Sequence, residues 1–315
     1  MKLAVLDDYQ GVAGSLADWA SLPDGTETVF FGDHLTAEED VARRLEGFDA
    51  VVMMRERTPI RRSLIERLPS LRLIVTTGMR NASLDVAAAR ERGIVVCGTD
   101  TGLPSTAELT WGLILALARG IVTEDRAMRD GRWQTGVGVD LAGRTLGVLG
   151  LGRLGGRVAA IGQAFGMDVI AWSQNLTAEA AEEVGVRRVE RRELFARADV
   201  LTVHVVLSGR TRGLVGAAEL AAMKPTAFLV NTSRGPIVDQ AALLDALREG
   251  RIAGVGIDVY DEEPLPAGHP LLSAPRTVLT PHLGYVTLDS LGAMYRAAVE
   301  DVAAFLAGRP IRELS

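Results

Sequence analysis

The sequence predicts an α/β protein of two domains, each built on a parallel β-sheet covered by helices. Three observations lead to this fold class. Short apolar runs alternate with segments of helical period along most of the chain. A long apolar helical segment interrupts the alternation once, near residue 100, and the alternation then resumes. The chain has 315 residues, 48% of them hydrophobic, which exceeds the usual size of one domain.

The first hundred residues contain five candidate strands: KLAVLD, TVFFG, DAVVMM, RLIVTT and GIVVC. Each is followed by a polar or helix-forming connection, as in a parallel sheet with helices on both faces. The next segment, TDTGLPSTAELTWGLILALARG, has Pro104 and Ser105 at a helix start, followed by a run too apolar to keep one face in water. We therefore expect this helix to be buried between domains or between subunits.

The second half of the chain contains six candidate strands: RTLGVLG, DVIAWS, DVLTVHV, TAFLVN, IAGVGIDV and RTVLTP. The final stretch, LDSLGAMYRAAVEDVAAFLAG, has helical period and no strand after it. We expect this last helix to return to the first domain. The predicted domains are therefore residues 1–98 with 285–315, and residues 99–284, with a cleft where the chain crosses between them.

Charge and hydropathy patterns indicate a small, soluble partner. The formal net charge is −6 and no basic cluster is interleaved with aromatic residues, so nothing favours a nucleic-acid partner. The first residues, MKLAVLDDYQ, become acidic too early for a signal peptide, and no apolar run approaches the ~20 residues of a membrane span. We expect a cytoplasmic protein.

Cysteine and histidine usage argue against a metal centre. Cys97 is the single cysteine, which excludes an internal disulfide and a cysteine-cluster metal site. A buried small side chain that closes the strand GIVVCG is favoured over a reactive thiol. The four histidines include no pair at metal-ligand spacing, so we expect no metal.

A glycine motif opens the second domain. Gly150, Gly152 and Gly155 form GxGxxG directly after the apolar strand TLGVL and before a helical run. In a dinucleotide-binding βαβ unit the first glycine allows a tight turn, the second lets a pyrophosphate approach the backbone, and the third lets helix and strand pack closely. GxGxxG also occurs by chance in glycine-rich loops, but this strand-to-helix context favours dinucleotide binding.

The residue that usually selects the dinucleotide is missing. An acidic residue should close the next strand, where it would bind the ribose hydroxyls of NAD. That strand ends instead in Ser173, Gln174 and Asn175, which provide neither a carboxylate for NAD nor an arginine for the 2′-phosphate of NADP. We expect modest discrimination with NADH favoured. If NADPH is preferred, Arg187 or Arg188 is the expected source of that preference.

Three later strands end in polar residues that suit catalysis. One runs into Arg234, the next into Asp258 and then Glu263, and the last into His282. Ligands of open parallel sheets bind at the carboxyl ends of strands, so we expect these side chains in one crevice. Taken singly, the arginine and the glutamate are also compatible with solvated surface and the histidine with packing; their joint occurrence favours a site. His204 also ends a strand, where cofactor contact and packing are both open.

In these motifs the chain resembles the D-isomer-specific 2-hydroxyacid dehydrogenases. The resemblance spans nearly the whole chain, and its most specific pieces are GLGRLG, NTSRGPIVD, GIDVYDEEPLP and PHLG, in the family's order. It implies a Rossmann dinucleotide-binding domain inserted into a flavodoxin-like substrate domain. It also implies hydride transfer between a nicotinamide cofactor, NAD or possibly NADP, and a small 2-keto or D-2-hydroxy acid.

The resemblance further implies roles for individual residues. Arg234 would hold the substrate carboxylate, His282 would be the acid–base residue, and Glu263 would orient and charge that histidine. The residues implied at the cofactor are Gly150, Gly152, Arg153, Leu154, Gly155, Ser173, Val205, Thr232, Ser233, Asp258 and Gly284, with Asp258 at the nicotinamide carboxamide. Those implied at the substrate are Thr77, Gly78 and Met79 of TTGMRN, with Arg55 of MMRERTPI as a further candidate.

Differences between this sequence and related enzymes exclude some activities from those expected. Formate dehydrogenases of this superfamily have glutamine in place of Glu263, and phosphite dehydrogenases have lysine in place of Thr77, so neither activity is favoured. The extra domain of many phosphoglycerate dehydrogenases does not follow the last helix. Two alternatives stay open. One is a non-catalytic dinucleotide-sensing interaction protein, although the complete set of Arg, Glu and His argues against it. The other is an adenosylhomocysteine hydrolase-like enzyme, although the chain length and the order of these residues argue against it.

A homodimer is the expected assembly. The helix after Ser105 has more apolar side chains than a single core face can cover, namely Trp111, Leu113, Ile114, Leu115 and Leu117. A two-fold interface would bury the surplus, and the resemblance implies the same. Substrate side-chain specificity is expected from loops of the first domain and from Tyr285 or the partner subunit. The sequence does not rank glyoxylate, hydroxypyruvate, pyruvate or bulkier acids.

Overall fold

The computed structural model describes residues 1–100, 102 and 104–314. The chain divides into two compact units: Met1–Leu103 with Thr287–Ser315, and Pro104–Val286. The sequence placed the boundaries after residues 98 and 284, a few residues before those of the structure. The first unit continues past its last strand because Thr99 still pairs with the neighbouring strand: its N–H donates to the Thr76 carbonyl at 3.1 Å.

Strands and helices alternate along both units. The strands are β1 Lys2–Val5, β2 Glu27–Phe30, β3 Ala50–Met53, β4 Leu73–Thr76, β5 Val95–Gly98, β6 Thr145–Leu149, β7 Asp168–Trp172, β8 Arg187–Arg188, β9 Val200–Val203, β10 Phe228–Asn231, β11 Gly254–Ile257 and β12 Thr277–Leu279. The helices are α1 Ala13–Leu16, α2 Glu38–Leu45, α3 Arg62–Ile65, α4 Val86–Glu91, α5 Ser105–Arg119, α6 Ile121–Arg129, α7 Arg153–Ala164, α8 Ala178–Glu182, α9 Arg191–Arg197, α10 Ala217–Ala222, α11 Gln240–Arg248 and α12 Leu288–Leu306.

The first unit is a parallel sheet in the order β2-β1-β3-β4-β5, the order of flavodoxin-like folds. All five strands predicted for this part of the chain are present. β3 and β4 are buried along their whole length, which explains why their sequences read as continuous apolar runs rather than as alternating ones. α12 belongs to this unit and packs against β4, β5 and α1.

The second unit is a parallel sheet in the order β12-β11-β10-β9-β6-β7-β8. From β6 the chain adds β7 and β8 on one side and β9 to β12 on the other, which is the Rossmann arrangement with its switch point between β6 and β9. The expectation of six strands was one too few. β8 consists of Arg187 and Arg188 alone, paired with β7, and two charged residues give no periodic hydrophobic signal.

α5 is buried within its own unit, so the expectation of a surplus apolar face on this helix was wrong. Trp111, Leu113 and Ile114 are almost fully buried in a core shared with β6, β7 and α7, and Leu115 and Leu117 pack against the same core. The central strands of the Rossmann sheet present enough apolar surface to cover the helix. Exposed apolar side chains lie further along the chain: Ile121, Val122, Met128, Trp133 and Val137.

Among the described residues, no single helix is long and apolar enough to cross a membrane. α5 and α6 meet the length and composition requirement only when taken together, and the two helices are bent by 62° relative to each other. The apolar character of α5 has another explanation in this fold, because its large side chains form part of the core of the second unit.

A short segment after α12 closes the edge of the first sheet. The Leu314 N–H donates to the Val96 carbonyl at 2.8 Å, and the Gly98 N–H donates to the Arg312 carbonyl at 3.0 Å. Between these bonds, Cys97 is fully buried, and burial raises the pKa of its thiol to about 12. A buried thiol with so high a pKa is inert at neutral pH, in line with a packing role.

Arg312 ties this segment to α12. Its Nε donates to Asp301 Oδ1 at 2.9 Å and its Nη1 donates to Glu300 Oε2 at 2.9 Å. Asp301 is fully buried, and its Oδ2 has no hydrogen-bond partner among the described residues. Burial therefore outweighs the arginine and raises the pKa of the Asp301 carboxyl to about 6.

This carboxyl makes the stability of the chain depend on pH. The folded chain holds the Asp301 proton more tightly than the unfolded chain, so this stabilisation is present at low pH and is lost as pH rises through about 6. As pH falls from about 7 to about 5, this carboxyl should raise the free energy of unfolding of the wild type by about 1 kcal/mol, and Asp301→Asn should lack that rise. Urea unfolding at the two pH values measures both. Glu300→Gln, which alters the same arginine at the surface, is the control. Equal pH dependence in wild type and Asp301→Asn would contradict the assignment.

Candidate active site

The glycine turn after β6 has the geometry that a dinucleotide requires. Gly150 has φ +104°, and a Cβ on it would lie 2.8 Å from the backbone of His204. A Cβ on Gly155 would lie 2.0 Å from the Gly150 carbonyl oxygen, so helix and strand approach as closely as glycine allows. A Cβ on Gly152 would meet nothing within 4 Å, which leaves this part of the backbone open to a ligand.

α7 directs its amino end towards this open backbone. Gly152 is its N-cap residue and Arg153 and Leu154 are its first two residues. The N–H groups of a first helical turn have no acceptor within the helix, and the helix dipole adds partial positive charge there. The backbone of Arg153 and Leu154 therefore suits a phosphate group.

A cleft of about 360 Å³ extends from the glycine turn. Its lining comes from the turn, from the end of β7 and from the loop after β9: Gly150, Leu151, Gly152, Trp172, Ser173, Gln174, Asn175, Leu176, Val205, Val206, Arg210, Thr211 and Leu214. No carboxylate is among these residues. The cleft includes Arg210, which sequence reasoning missed because it lies in a polar loop that belongs to no motif.

The two arginines that the sequence offered for a 2′-phosphate are engaged elsewhere. Arg187 pairs with Asp168 at 2.7 Å, and Arg188 pairs with Glu190 at 2.9 Å. Neither is among the residues that line the cleft. Both belong to β8, the strand that sequence reasoning did not foresee, which is why their position was misjudged.

A buried asparagine forms the turn that carries Arg234. Asn231 ends β10, and its Oδ1 accepts a hydrogen bond from the Ser233 N–H at 3.0 Å while its Nδ2 donates to the Arg234 carbonyl at 2.9 Å. The Ser233 hydroxyl donates to the Val205 carbonyl at 2.6 Å, which joins the ends of β10 and β9. Thr232 is buried at the same turn. Asn231 therefore sets the path of the backbone at Arg234, a role that sequence reasoning missed.

Gly235 brings the Arg234 turn against the segment that carries Glu263. A Cβ on Gly235 would lie 2.2 Å from the backbone carbon of Tyr260, so only glycine permits this approach. The Tyr260 N–H donates to Glu263 Oε1 at 2.8 Å, and its hydroxyl donates to the Thr280 carbonyl at 3.0 Å. Burial raises the pKa of that hydroxyl, which keeps it a donor.

Glu263 and His282 form the central pair. His282 Nδ1 lies 2.5 Å from Glu263 Oε2, and the two side chains are 18% and 27% exposed. Because the carboxylate occupies Nδ1, proton exchange with a ligand is left to Nε2 on the other side of the ring. The ring of Tyr285 packs edge-on against the imidazole, with centroids 5.4 Å apart. Imidazole and carboxylate thus meet as the sequence analysis expected.

Asp258 holds the loop on which His282 lies. The carboxylate is fully buried and accepts three hydrogen bonds: from the Thr280 hydroxyl at 2.6 Å, the Leu283 N–H at 2.7 Å and the Gly284 N–H at 2.9 Å. Burial raises the pKa of this carboxyl, while these donors and the nearby His282 oppose the rise. Three bonds from one loop make Asp258 the anchor of the loop, a role distinct from the cofactor contact implied by the resemblance.

His204 is a neutral imidazole at the end of β9. The backbone N–H of His204 donates to the Leu149 carbonyl at 2.8 Å, which places the residue beside the glycine turn. Its Nε2 is sealed from solvent and has no hydrogen-bond partner among the described residues. Burial lowers the pKa of the imidazole to about 4, so it carries no charge near neutral pH.

The predicted substrate loop of the first unit lies against Arg55. The Arg55 N–H donates to the Thr77 hydroxyl at 2.8 Å, and its Nη1 donates to the Thr77 carbonyl at 3.2 Å. Gly78 has φ +121°, and a Cβ on it would lie 2.4 Å from Arg55 Nη1. The Gly78 N–H donates to the Thr99 hydroxyl at 3.1 Å, whereas Met79 is exposed. Arg55 is thus an integral part of this loop, more than the sequence suggested.

A second polar cluster follows β1 and β3 in the first unit. Asp7 is buried; its Oδ1 lies 2.8 Å from His34 Nδ1 and its Oδ2 accepts from the Thr58 hydroxyl at 2.7 Å. Arg57 donates to the Asp7 carbonyl at 2.7 Å and stacks over the ring of Tyr9. The sequence analysis gave none of these residues a role, because the loops that hold them carry no recognisable motif.

Comparison with known proteins identifies relatives over the whole chain. The family described as D-isomer specific 2-hydroxyacid dehydrogenase, NAD binding domain, matches residues 111–284. A glyoxylate reductase of Aeropyrum pernix is 43% identical over 256 residues, 78% of this chain and 76% of that protein. A hydroxypyruvate reductase of Blautia hydrogenotrophica is 31% identical over 99% of this chain and 98% of its own. The crystal structure of a phosphoglycerate oxidoreductase from Vibrio cholerae has a TM-score of 0.92 at 38% identity, covering 98% and 99% of the two chains.

The anchoring role of Asp258 predicts a loss of both stability and activity in Asp258→Asn. The amide nitrogen of asparagine cannot accept, so at least one of the three donors loses its partner at a cost of about 1–3 kcal/mol. We expect urea unfolding to show this loss and turnover to fall as the His282 loop moves. Asp261→Asn, an exposed neighbour, is the control. Unchanged stability would mean that the burial cost of the carboxylate cancels its hydrogen bonds.

Proposed function

The chain belongs to the D-isomer-specific 2-hydroxyacid dehydrogenase family, and we propose that Arg234, Glu263 and His282 form its active site. It is an oxidoreductase that transfers a hydride between a nicotinamide cofactor and a small 2-keto or 2-hydroxy acid. The observation that carries the assignment of the site is the 2.5 Å contact between His282 and Glu263. The Arg234 turn packs against the backbone three residues before that glutamate.

The second unit fits the cofactor. The open backbone at Gly152, the amino end of α7 and the adjoining cleft together suit a pyrophosphate and an attached nucleoside. When bound, the nicotinamide ring supplies or accepts the hydride. We propose that Val205, Thr232, Ser233 and Gly284 border it, since these residues lie where β9, β10 and β12 end. NAD or NADP is the proposed cofactor, since no carboxylate lines the cleft to repel a 2′-phosphate.

His282 moves the proton. During reduction the keto oxygen gains negative charge, and Nε2 donates a proton to it; during oxidation the same nitrogen removes the proton. Glu263 holds Nδ1, which fixes the direction of the ring and stabilises the protonated imidazole by its charge. Tyr260 and Tyr285 position this pair, one through a hydrogen bond to the carboxylate and the other through ring packing.

Arginines are proposed to hold the substrate carboxylate. The planar guanidinium of Arg234 can bind a carboxylate through two parallel hydrogen bonds, which fixes its orientation as well as its position. In the first unit, we propose that Arg55 and the loop Thr77, Gly78 and Met79 also bind substrate, because a cation lies directly against backbone that only glycine can form. The names of the relatives place glyoxylate and hydroxypyruvate first among the acids to test.

A homodimer is the proposed assembly. Exposed apolar side chains follow α5 and extend into the segment after α6: Ile121, Val122, Met128, Trp133 and Val137. We propose that these exposed residues, called the apolar patch below, make a two-fold contact with a second copy.

Sedimentation at micromolar concentration tests the dimer. The wild type should have the mass of two 33.6 kDa chains. Trp133→Glu should shift the mass towards one chain, because it introduces a charge into the apolar patch. Trp19→Phe, at a buried position of the first unit, is the control and should leave the mass unchanged. A wild-type monomer would contradict the proposal.

The function itself is tested with a panel of 2-keto acids, each incubated with NADH and with NADPH while the absorbance of the reduced cofactor is followed. We expect turnover with at least one small acid. His282→Ala removes the proton donor and should lower turnover by roughly a hundredfold to ten-thousandfold, with little change in cofactor affinity. Arg234→Ala should raise the KM of the keto acid most, because its contact holds ground state and transition state alike.

Two outcomes would contradict this proposal in different ways. Near-normal reduction by His282→Ala would show that another group donates the proton. Cofactor binding without turnover of any acid would favour a dinucleotide-sensing protein instead. Asp261→Asn, an exposed carboxylate close to Glu263 in sequence, is the matched control for both variants and should keep wild-type rates.

A further inference from the structure

The cleft beside the glycine turn contains an arginine that no motif assigns. Its lining includes Ser173, Gln174 and Asn175 from the end of β7, together with Arg210 and Thr211 from the loop after β9. In a Rossmann sheet the end of the second strand faces the adenosine ribose, where a carboxylate selects NAD. Here the same place offers a hydroxyl, two side-chain amides and a guanidinium.

Arg210 is the one charged residue among the described residues that line the cleft. It is exposed at the cleft, and within residues 1–100, 102 and 104–314 it forms no ion pair or hydrogen bond. Three arginines outside the lining are paired: Arg187 with Asp168, Arg188 with Glu190 and Arg191 with Glu219, at 2.7 to 2.9 Å. A ligand anion in the cleft would therefore meet positive charge at Arg210.

The loop around Arg210 is fixed by its own hydrogen bonds. The Thr211 hydroxyl accepts from the Ser208 N–H at 2.8 Å and donates to the Val206 carbonyl at 2.6 Å. The Arg212 N–H donates to the Ser208 carbonyl at 3.0 Å. These bonds hold the turn against the end of β9, so the base of the Arg210 side chain has a defined position beside the cleft.

We propose that Arg210, together with Ser173, Gln174 and Asn175, forms a subsite for the 2′-phosphate of NADP(H). This inference rests on the proposed dinucleotide site. A phosphate monoester is close to a dianion at neutral pH, and a guanidinium binds it through charge-assisted hydrogen bonds. The hydroxyl and amide groups at the end of β7 add donors, and the absence of a carboxylate among the described lining residues removes the usual repulsion.

The subsite shifts the cofactor preference towards NADP(H), because only NADP(H) carries the 2′-phosphate that it binds. It thereby reverses the sequence expectation that NADH is favoured, and it replaces Arg187 and Arg188 as the source of any preference for NADPH. The sequence does not indicate it, because Arg210 comes from a loop 38 residues beyond the end of β7 and only the fold brings the two together.

The test uses two halves of the cofactor that differ by one phosphate, 2′,5′-ADP and 5′-AMP, titrated calorimetrically into the full-length protein. The wild type should bind 2′,5′-ADP at least tenfold more tightly than 5′-AMP. Arg210→Ala should abolish this ratio, and Arg210→Lys should keep part of it, because the charge stays while the paired hydrogen bonds are lost. Arg187→Ala is the matched control, since it removes an arginine already paired with Asp168, and should keep the wild-type ratio.

The outcomes separate this inference from the proposed function. If neither nucleotide binds, the dinucleotide site itself is wrong. If 5′-AMP binds but 2′,5′-ADP binds no more tightly, or if Arg210→Ala leaves the ratio unchanged, the phosphate subsite is wrong while the oxidoreductase assignment stands. Ser173→Asp gives an independent check: a carboxylate in the lining of the cleft should weaken the binding of 2′,5′-ADP far more than that of 5′-AMP. Equal effects on the two nucleotides would also overturn the subsite.

Discussion

The buried carboxylate of Asp258 is the interaction on which the rest of the candidate site depends. It gathers a hydroxyl and two backbone N–H groups from the loop after β12, so the direction of that loop is set from the end of β11. Tyr260 completes the arrangement by donating to Glu263 and to the Thr280 carbonyl. A charge buried at this cost is tolerated because each of its oxygens has a donor, and the result is a histidine held 2.5 Å from its glutamate.

The fold was largely predictable because its strands carry strong local signals. Strands such as β3 and β4 are buried on both faces and therefore read as continuous apolar runs. β8 was not predictable, since two arginines form a strand only where the neighbouring β7 offers an edge. The burial of α5 was misjudged for a related reason: an all-apolar helix signals that it is covered, but its sequence does not say whether its own unit or another chain covers it.

Some residues of the candidate site were likewise predictable from the sequence and others were not. Gly150, Arg234, Glu263 and His282 were predictable because each belongs to a motif at the carboxyl end of a strand, where parallel sheets bind ligands. Their supports were not. Asn231 shapes the Arg234 turn, and Gly235 and Tyr260 join segments about 25 residues apart, so their roles exist only once the strands are side by side. Arg210 was missed for the same reason, because the residues that line the cleft with it follow a different strand.

Local charge, rather than net charge, governs how this chain meets its ligands. Its formal charge of −6 opposes a carboxylate substrate and a phosphorylated cofactor alike. Exposed charges are largely screened beyond about 8 Å at physiological ionic strength, so that opposition fades unless the charges lie at the site itself. At the candidate site the second unit carries the amino end of α7 and the guanidinium groups of Arg234 and Arg210, while the carboxylates of Asp258 and Glu263 each accept hydrogen bonds from groups of the protein. Negative charge at the candidate site thus positions groups of the protein, and the positive charges there suit anionic ligands.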